Sequence, residues 1–98
     1  MGWTVIKEDS DGKAENTLTG ELRLSNTAIL VSGQFKVLKY LDLFGDTTFN
    51  IEMIKDLILD LEQLKTHLPT DNNRIDEVIG LAKSCINDPH TFLKFYGD

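Results

Sequence analysis

Between Asn50 and Pro69 runs the pattern that most narrows what this chain can fold into. Ile51, Ile54, Leu57, Ile58, Leu61, Leu64 and Leu68 follow the i, i+3, i+4, i+7 spacing of a helix with one apolar stripe. Asn50 suits the N-cap, and Glu52 places a carboxylate in the first turn, where the helix dipole favours it. Pro69 closes the segment, because the residue before a proline avoids helical geometry. A second stripe follows a short polar connection: Ile75, Val78, Ile79, Ala82, Cys85 and Ile86, ended by Asn87-Asp88-Pro89. The spacing predicts helices over 51–67 and 72–87, and the short link between them predicts an antiparallel pair.

Strand-like segments flank the helices. Trp3-Thr4-Val5-Ile6 is β-branched and aromatic and predicts a strand over 2–7, running into the turn cluster Glu8-Asp9-Ser10-Asp11-Gly12. Leu18, Leu22 and Leu24 alternate with Thr19, Glu21 and Arg23, which predicts a half-buried strand over 18–24 in a hairpin with the first. Over 91–96, Leu93 and Phe95 fall on one side of a strand and Phe92 and Tyr96 on the other. Residues 28–44 fit two patterns. Phe35, Leu38 and Leu41 match a helical period, while Ala28-Ile29-Leu30-Val31 and then Phe35, Val37, Leu41 and Leu43 match extended chain, and extended structure is the expectation there. Strands, two helices and a strand make an α+β fold: a small, mainly antiparallel sheet with an antiparallel pair of helices packed on one face. With 98 residues and no linker or repeat, residues 1–98 form a single domain.

Composition removes several classes of function. The chain carries 16 acidic and 10 basic residues, a net charge of −6, and Lys36 and Lys39 are its only close basic pair. A phosphate backbone would be repelled, so no nucleic-acid partner is expected. No apolar run approaches the roughly 20 residues of a membrane helix, so no membrane partner is expected either. MGWTVIKEDS lacks the basic and then apolar regions of a secretory leader, and Cys85 is the only cysteine. A cytoplasmic location follows as the expectation.

The residues that could carry chemistry are few. Phe44-Gly45-Asp46 and Tyr96-Gly97-Asp98 repeat an aromatic, a glycine and an aspartate. The first reads as a tight turn with a positive φ at Gly45, the second as a strand running out at the surface. Asp46 and Asp98 would approach a hard-cation site only if their segments paired, and turn chemistry is the expected role. Asp9-Ser10-Asp11-Gly12 fails as a calcium loop, since its glycine comes two places early and Gly20 stands where the closing glutamate belongs. Cys85, Asp88 and His90 contain the letters of a thiol catalytic set, but Cys85 lies on an apolar stripe near a helix C-terminus, which opposes thiolate formation. His67 and His90 lie on different elements, so no zinc pattern arises. No cofactor, metal or catalytic residue is expected.

Binding surfaces are the better candidates. Glu52, Asp56 and Asp60 recur at i, i+4, i+8 opposite the leucine stripe, and Gln63 and His67 extend that side. The row reads as an ordinary solvated face or as an acidic docking surface. Trp3 and Tyr96 offer aromatic anchors if they share the sheet face away from the helices, unless residues 28–44 cover it. These features predict a small, acidic, non-enzymatic protein-binding module of the inhibitor or immunity type, which neutralises a basic protein partner. The alternative is a structural subunit that self-associates, as a homo-oligomer, through an exposed sheet face or edge.

Overall fold

The computed structural model describes residues 2–97. Four strands and two helices appear in the order β1 (Trp3–Asp9), β2 (Ala14–Thr17), β3 (Asp46–Phe49), α1 (Ile51–His67), α2 (Asn72–Ile86) and β4 (Thr91–Gly97). The sheet is antiparallel throughout, with spatial order β2-β1-β4-β3. The fold is therefore α+β, with the helix pair on one face of the sheet, as the sequence patterns require. Two helices between β3 and β4 return the chain so that β4 slots antiparallel between β1 and β3.

Local chemistry explains where elements begin. Asn50 caps α1, its side-chain oxygen accepting from the Met53 amide at 3.0 Å. Pro69–Asp71 forms one 3-10 turn, after which α2 starts at Asn72. At the β1–β2 turn the Asp9 carboxylate accepts from the Asp11 and Lys13 amides, both at 2.9 Å, and Gly12 takes φ +82°. Ile54, Leu57, Leu61 and Leu64 of α1 and Ile75, Val78, Ala82 and Cys85 of α2 meet Val5, Phe49, Leu93 and Phe95 of the sheet in one core. Phe49 and Phe95 meet edge to face, with centroids 5.5 Å apart.

Three expectations need correction. The second strand is Ala14–Thr17, not 18–24, and 18–24 meets β1 through the bond from the Leu18 amide to the Val5 carbonyl at 2.9 Å and the Trp3–Leu22 bridge, without forming a strand. Gly20, at φ +72°, breaks the extended run, and the Arg74 guanidinium holds the detour by donating to the carbonyls of Thr19 and Glu21 at 2.7 and 2.9 Å. Leu18 and Leu22 are still buried, so the apolar positions were the right ones for burial though not for a strand. Residues 28–44 are not extended: they carry 3-10 turns at Ala28–Val31 and Leu38–Tyr40 joined by irregular chain, with Gly33 at φ +92°. Gly45 has no positive φ; the only glycines that do, among the described residues, are Gly12, Gly20 and Gly33. A Cβ at Gly45 would lie 2.7 Å from an Asp42 carboxylate oxygen, so close approach rather than handedness explains it.

Candidate functional site

The helical carboxylate row does not survive folding as a row. Glu52 is exposed in the first turn of α1 and Asp56 is half-buried, with the Lys36 ammonium 3.9 Å away. Asp60 is only 5% exposed. Its two carboxylate oxygens accept from three successive amides, Lys36 at 3.2 Å, Val37 at 2.8 Å and Leu38 at 3.1 Å. One buried charge thus satisfies the donors of a segment that has no strand partner. Gln63 stays exposed, and its side-chain amide donates to Gln34 at 3.4 Å. The segment around residues 34–38 therefore lies across the side of α1 that the row was expected to present.

The two aromatics separate as well. Thr4 pairs with Tyr96 and Val5 with Phe95, so the alternation of β1 places Trp3 with Val5 on the helix side. Trp3 is 1% exposed and its indole N–H donates to the Asp42 carbonyl at 2.9 Å. It is a core residue and not a surface anchor. Tyr96 does lie on the opposite, uncovered face of the sheet, half-buried, with its hydroxyl donating to the Glu8 carboxylate. The Lys94 ammonium sits 4.8 Å from its ring centre. The bond to Glu8 raises the Tyr96 pKa above its ordinary value, and the contact with Tyr96 raises that of Lys94.

The repeated aromatic-Gly-Asp segments come together. Asp46 pairs with Tyr96 across β3 and β4, and the Gly97 amide donates to the Gly45 carbonyl at 2.8 Å. A Cβ on Gly97 would meet the carbonyl oxygens of Asp42, Gly45 and Leu43 at 2.7 to 2.8 Å, so only glycine fits there. Asp98 lies outside the described residues. Among the described residues no group of three or more metal-ligating side chains converges.

Around that junction the loop Tyr40–Asp46 is tied down on every side. Besides the Trp3 and Gly97 bonds, the Thr47 hydroxyl donates to the Tyr40 carbonyl at 3.3 Å and accepts from the Asp42 amide at 3.2 Å. The Asp42 carboxylate accepts from the Phe44 amide at 2.9 Å. Leu41 and Leu43 pack against the core, and the intervening Tyr40, Asp42 and Phe44 face water. Phe44 is 68% exposed and Tyr40 56%, with the Lys39 ammonium 5.2 Å from the Tyr40 ring centre. Asp42 and Asp46 are exposed beside them. The result is a fixed loop offering two aromatic side chains with carboxylates at the rim. The alternation of Leu41 and Leu43 was the signal in the sequence, and the doubled motif marked Phe44 and Asp46; nothing marked Tyr40.

Reactive groups elsewhere do not converge. Burial pushes the Cys85 thiol up, which keeps it protonated near neutral pH and a poor nucleophile, and His90 is exposed beyond the end of α2. A shallow cleft of about 280 Å³ between β2 and α2 holds one carboxylate, Glu77, already paired with Arg74 at 2.7 Å. No helix among the described residues is long and apolar enough to cross a membrane. The chain matches no family model, no curated protein and no solved structure.

Proposed function

We propose that this chain is a non-enzymatic protein-binding module of the inhibitor type, which engages a basic protein partner through the Tyr40–Asp46 loop. The observation that carries the reading is Phe44, more than two-thirds exposed on a loop whose backbone is bonded to β1, β3 and β4. Aromatic side chains on fixed backbone are effective interface anchors, because little freedom is left to lose on binding. Asp42 and Asp46 at the rim, on a chain of net charge −6, favour a partner whose apolar pocket is ringed by lysine or arginine and speed its encounter.

The test is co-purification from the native host, repeated with variants. Phe44→Ala and Asp46→Lys must each lose the protein that the wild type retains, with circular dichroism unchanged. Asp11→Lys serves as control, since the β1–β2 turn lies at the other end of a seven-residue strand, about 20 Å away. Retention by all three variants, or loss by the control alone, would refute the assignment.

A further inference from the structure

Gly80 stands in the middle of α2 and is exposed, and a Cβ built on it would meet nothing within 4 Å. Glycine is the least favourable helix-interior residue after proline, and nothing inside this chain requires it here. On the same outward face, α1 exposes Leu59 to 67%. The Lys65–Asp76 ion pair at 2.7 Å sets the register of the two helices. Running antiparallel from that rung, Leu59 lies level with residue 82, about 3 Å along the axis from Gly80 at 1.5 Å per residue. A hollow and an apolar bump therefore sit side by side at the middle of the helix layer.

We infer that this outward helix face is an interface between two copies of the chain, with α2 crossing α2 antiparallel at Gly80. In such a crossing, residue 80 − k of one copy lies level with residue 80 + k of the other. Asp76 and Glu77 then face Ser84 and Lys83 of the second copy, and Asn73 faces Asn87, twice over by symmetry. All but the half-buried Ser84 are exposed in the single chain. The twofold thus sets one acid, Glu77, against one base, Lys83, in each half, as an isologous contact needs, while Asp76 and Glu77 keep Lys65 and Arg74 of their own chain at 2.7 Å. Gly80 lets the helix backbones approach, and the two Leu59 side chains come within about 6 Å along the axis, close enough to pack together. The face measures about 25 by 20 Å, so roughly 1,000 Å² would be buried in total, at the small end of specific interfaces. A dimer of micromolar affinity is the expected consequence. It is independent of the loop proposed above, which lies on the sheet edge.

Sedimentation equilibrium on the full chain, from about 10 to 500 μM at 0.15 M salt so that repulsion between like-charged copies is screened, tests this. The expected result is a reversible monomer–dimer transition. Leu59→Asp and Lys83→Glu should each raise the dissociation constant at least tenfold. Gly80→Ala gives the sharper test, because its two effects oppose. It should raise the melting temperature at low concentration by about 5 °C through helix propensity, yet weaken dimerisation at least fivefold. A monomer at 500 μM would overturn the inference. So would a dimer that survives Leu59→Asp or tightens with Gly80→Ala. Phe44→Ala should leave the dimer intact.

Discussion

Replacing Asp60 with alanine puts the largest change in this molecule on the smallest alteration. On an isolated helix the substitution would relieve repulsion from Asp56 and gain a few tenths of a kcal/mol. In the fold it removes the acceptor of three amides, on Lys36, Val37 and Leu38, two of those bonds fully buried. A hydrogen bond to a charged group contributes about 1.5–3 kcal/mol, and leaving a buried amide unpaired costs about 1–3 kcal/mol. The three are not additive, since the segment relaxes and water reaches Lys36, which is exposed. A net loss of about 3–5 kcal/mol is expected, out of roughly 5–15 kcal/mol for a domain of this size. The melting temperature should fall by at least about 12 °C. Asp60→Asn keeps one acceptor oxygen and should lose about half as much. Urea titration followed by circular dichroism measures both, with an unchanged m-value confirming that the same surface unfolds. A loss below 1 kcal/mol, or any gain, would mean that the carboxylate does not hold residues 36–38 and that the acidic row is a surface feature after all.

Other consequences can be checked with equally simple measurements. Because the Tyr96 pKa lies above its unfolded value of 10.0, the stability it contributes is complete below pH 10 and declines as pH rises through the folded value. The raised pKa of Lys94 acts in the same direction. Tyr96→Phe should therefore flatten the alkaline limb of a stability–pH curve, and an unchanged slope would exclude the Glu8 bond as its source. Gly97→Ala should cost about 1–3 kcal/mol in chemical denaturation, because its methyl group meets three backbone oxygens. Gly45→Ala should cost less, since the obstacle there is the movable Asp42 side chain. Cys85 should resist a disulfide reagent in the native protein and react promptly in urea, as burial both covers the thiol and raises its pKa; rapid native labelling would contradict its place in the core.

The parts of the fold that were legible in the sequence are those whose signal repeats. Helix α1 has seven apolar positions in phase, a capping asparagine and a closing proline, and its bounds of 51–67 are those of the structure. In β4 the alternation set Leu93 and Phe95 together on one side, and in the structure that side is the buried one. Where the pattern is three or four residues long, tertiary contacts decide. Leu18, Leu22 and Leu24 are spaced for a strand, but Gly20 and the reach of Arg74 turn that segment into a loop which buries Leu18 and Leu22 without a ladder. Asp60 looked like a member of a solvated row because its spacing is that of Glu52 and Asp56; only a chain segment 22–24 residues upstream makes it a buried acceptor. Tyr96 stands on the open face of the sheet as expected, but Trp3 does not: it shares parity with the buried Val5, and the register that pairs Tyr96 with Thr4 rather than with Trp3 is one that no local pattern encodes.

That register also favours the loop over the helix row as the proposed binding element. Trp3 opposes Gly97 at the outer end of the β1–β4 ladder, and each reaches into the loop, Trp3 to the Asp42 carbonyl and Gly97 to the Gly45 carbonyl. The loop conformation is thus fixed by the same pairing that joins the first strand to the last. Ordering the five residues from Asp42 to Asp46 at the moment of binding would cost at least about 5 kcal/mol of backbone entropy, at roughly 1 kcal/mol or more each. Folding has already met that cost, so in the proposed complex contact energy at Phe44 and Tyr40 would go into affinity instead. Trp3→Phe keeps the ring and removes only the indole donor, at a cost of about 1 kcal/mol in stability. If the loop binds because it is pre-ordered, that variant should weaken partner binding although its own side chain is buried 1% exposed and touches no partner. Comparison of off-rates for Trp3→Phe and wild type decides the point: equal rates would mean that the loop orders on contact and that its rigidity contributes nothing.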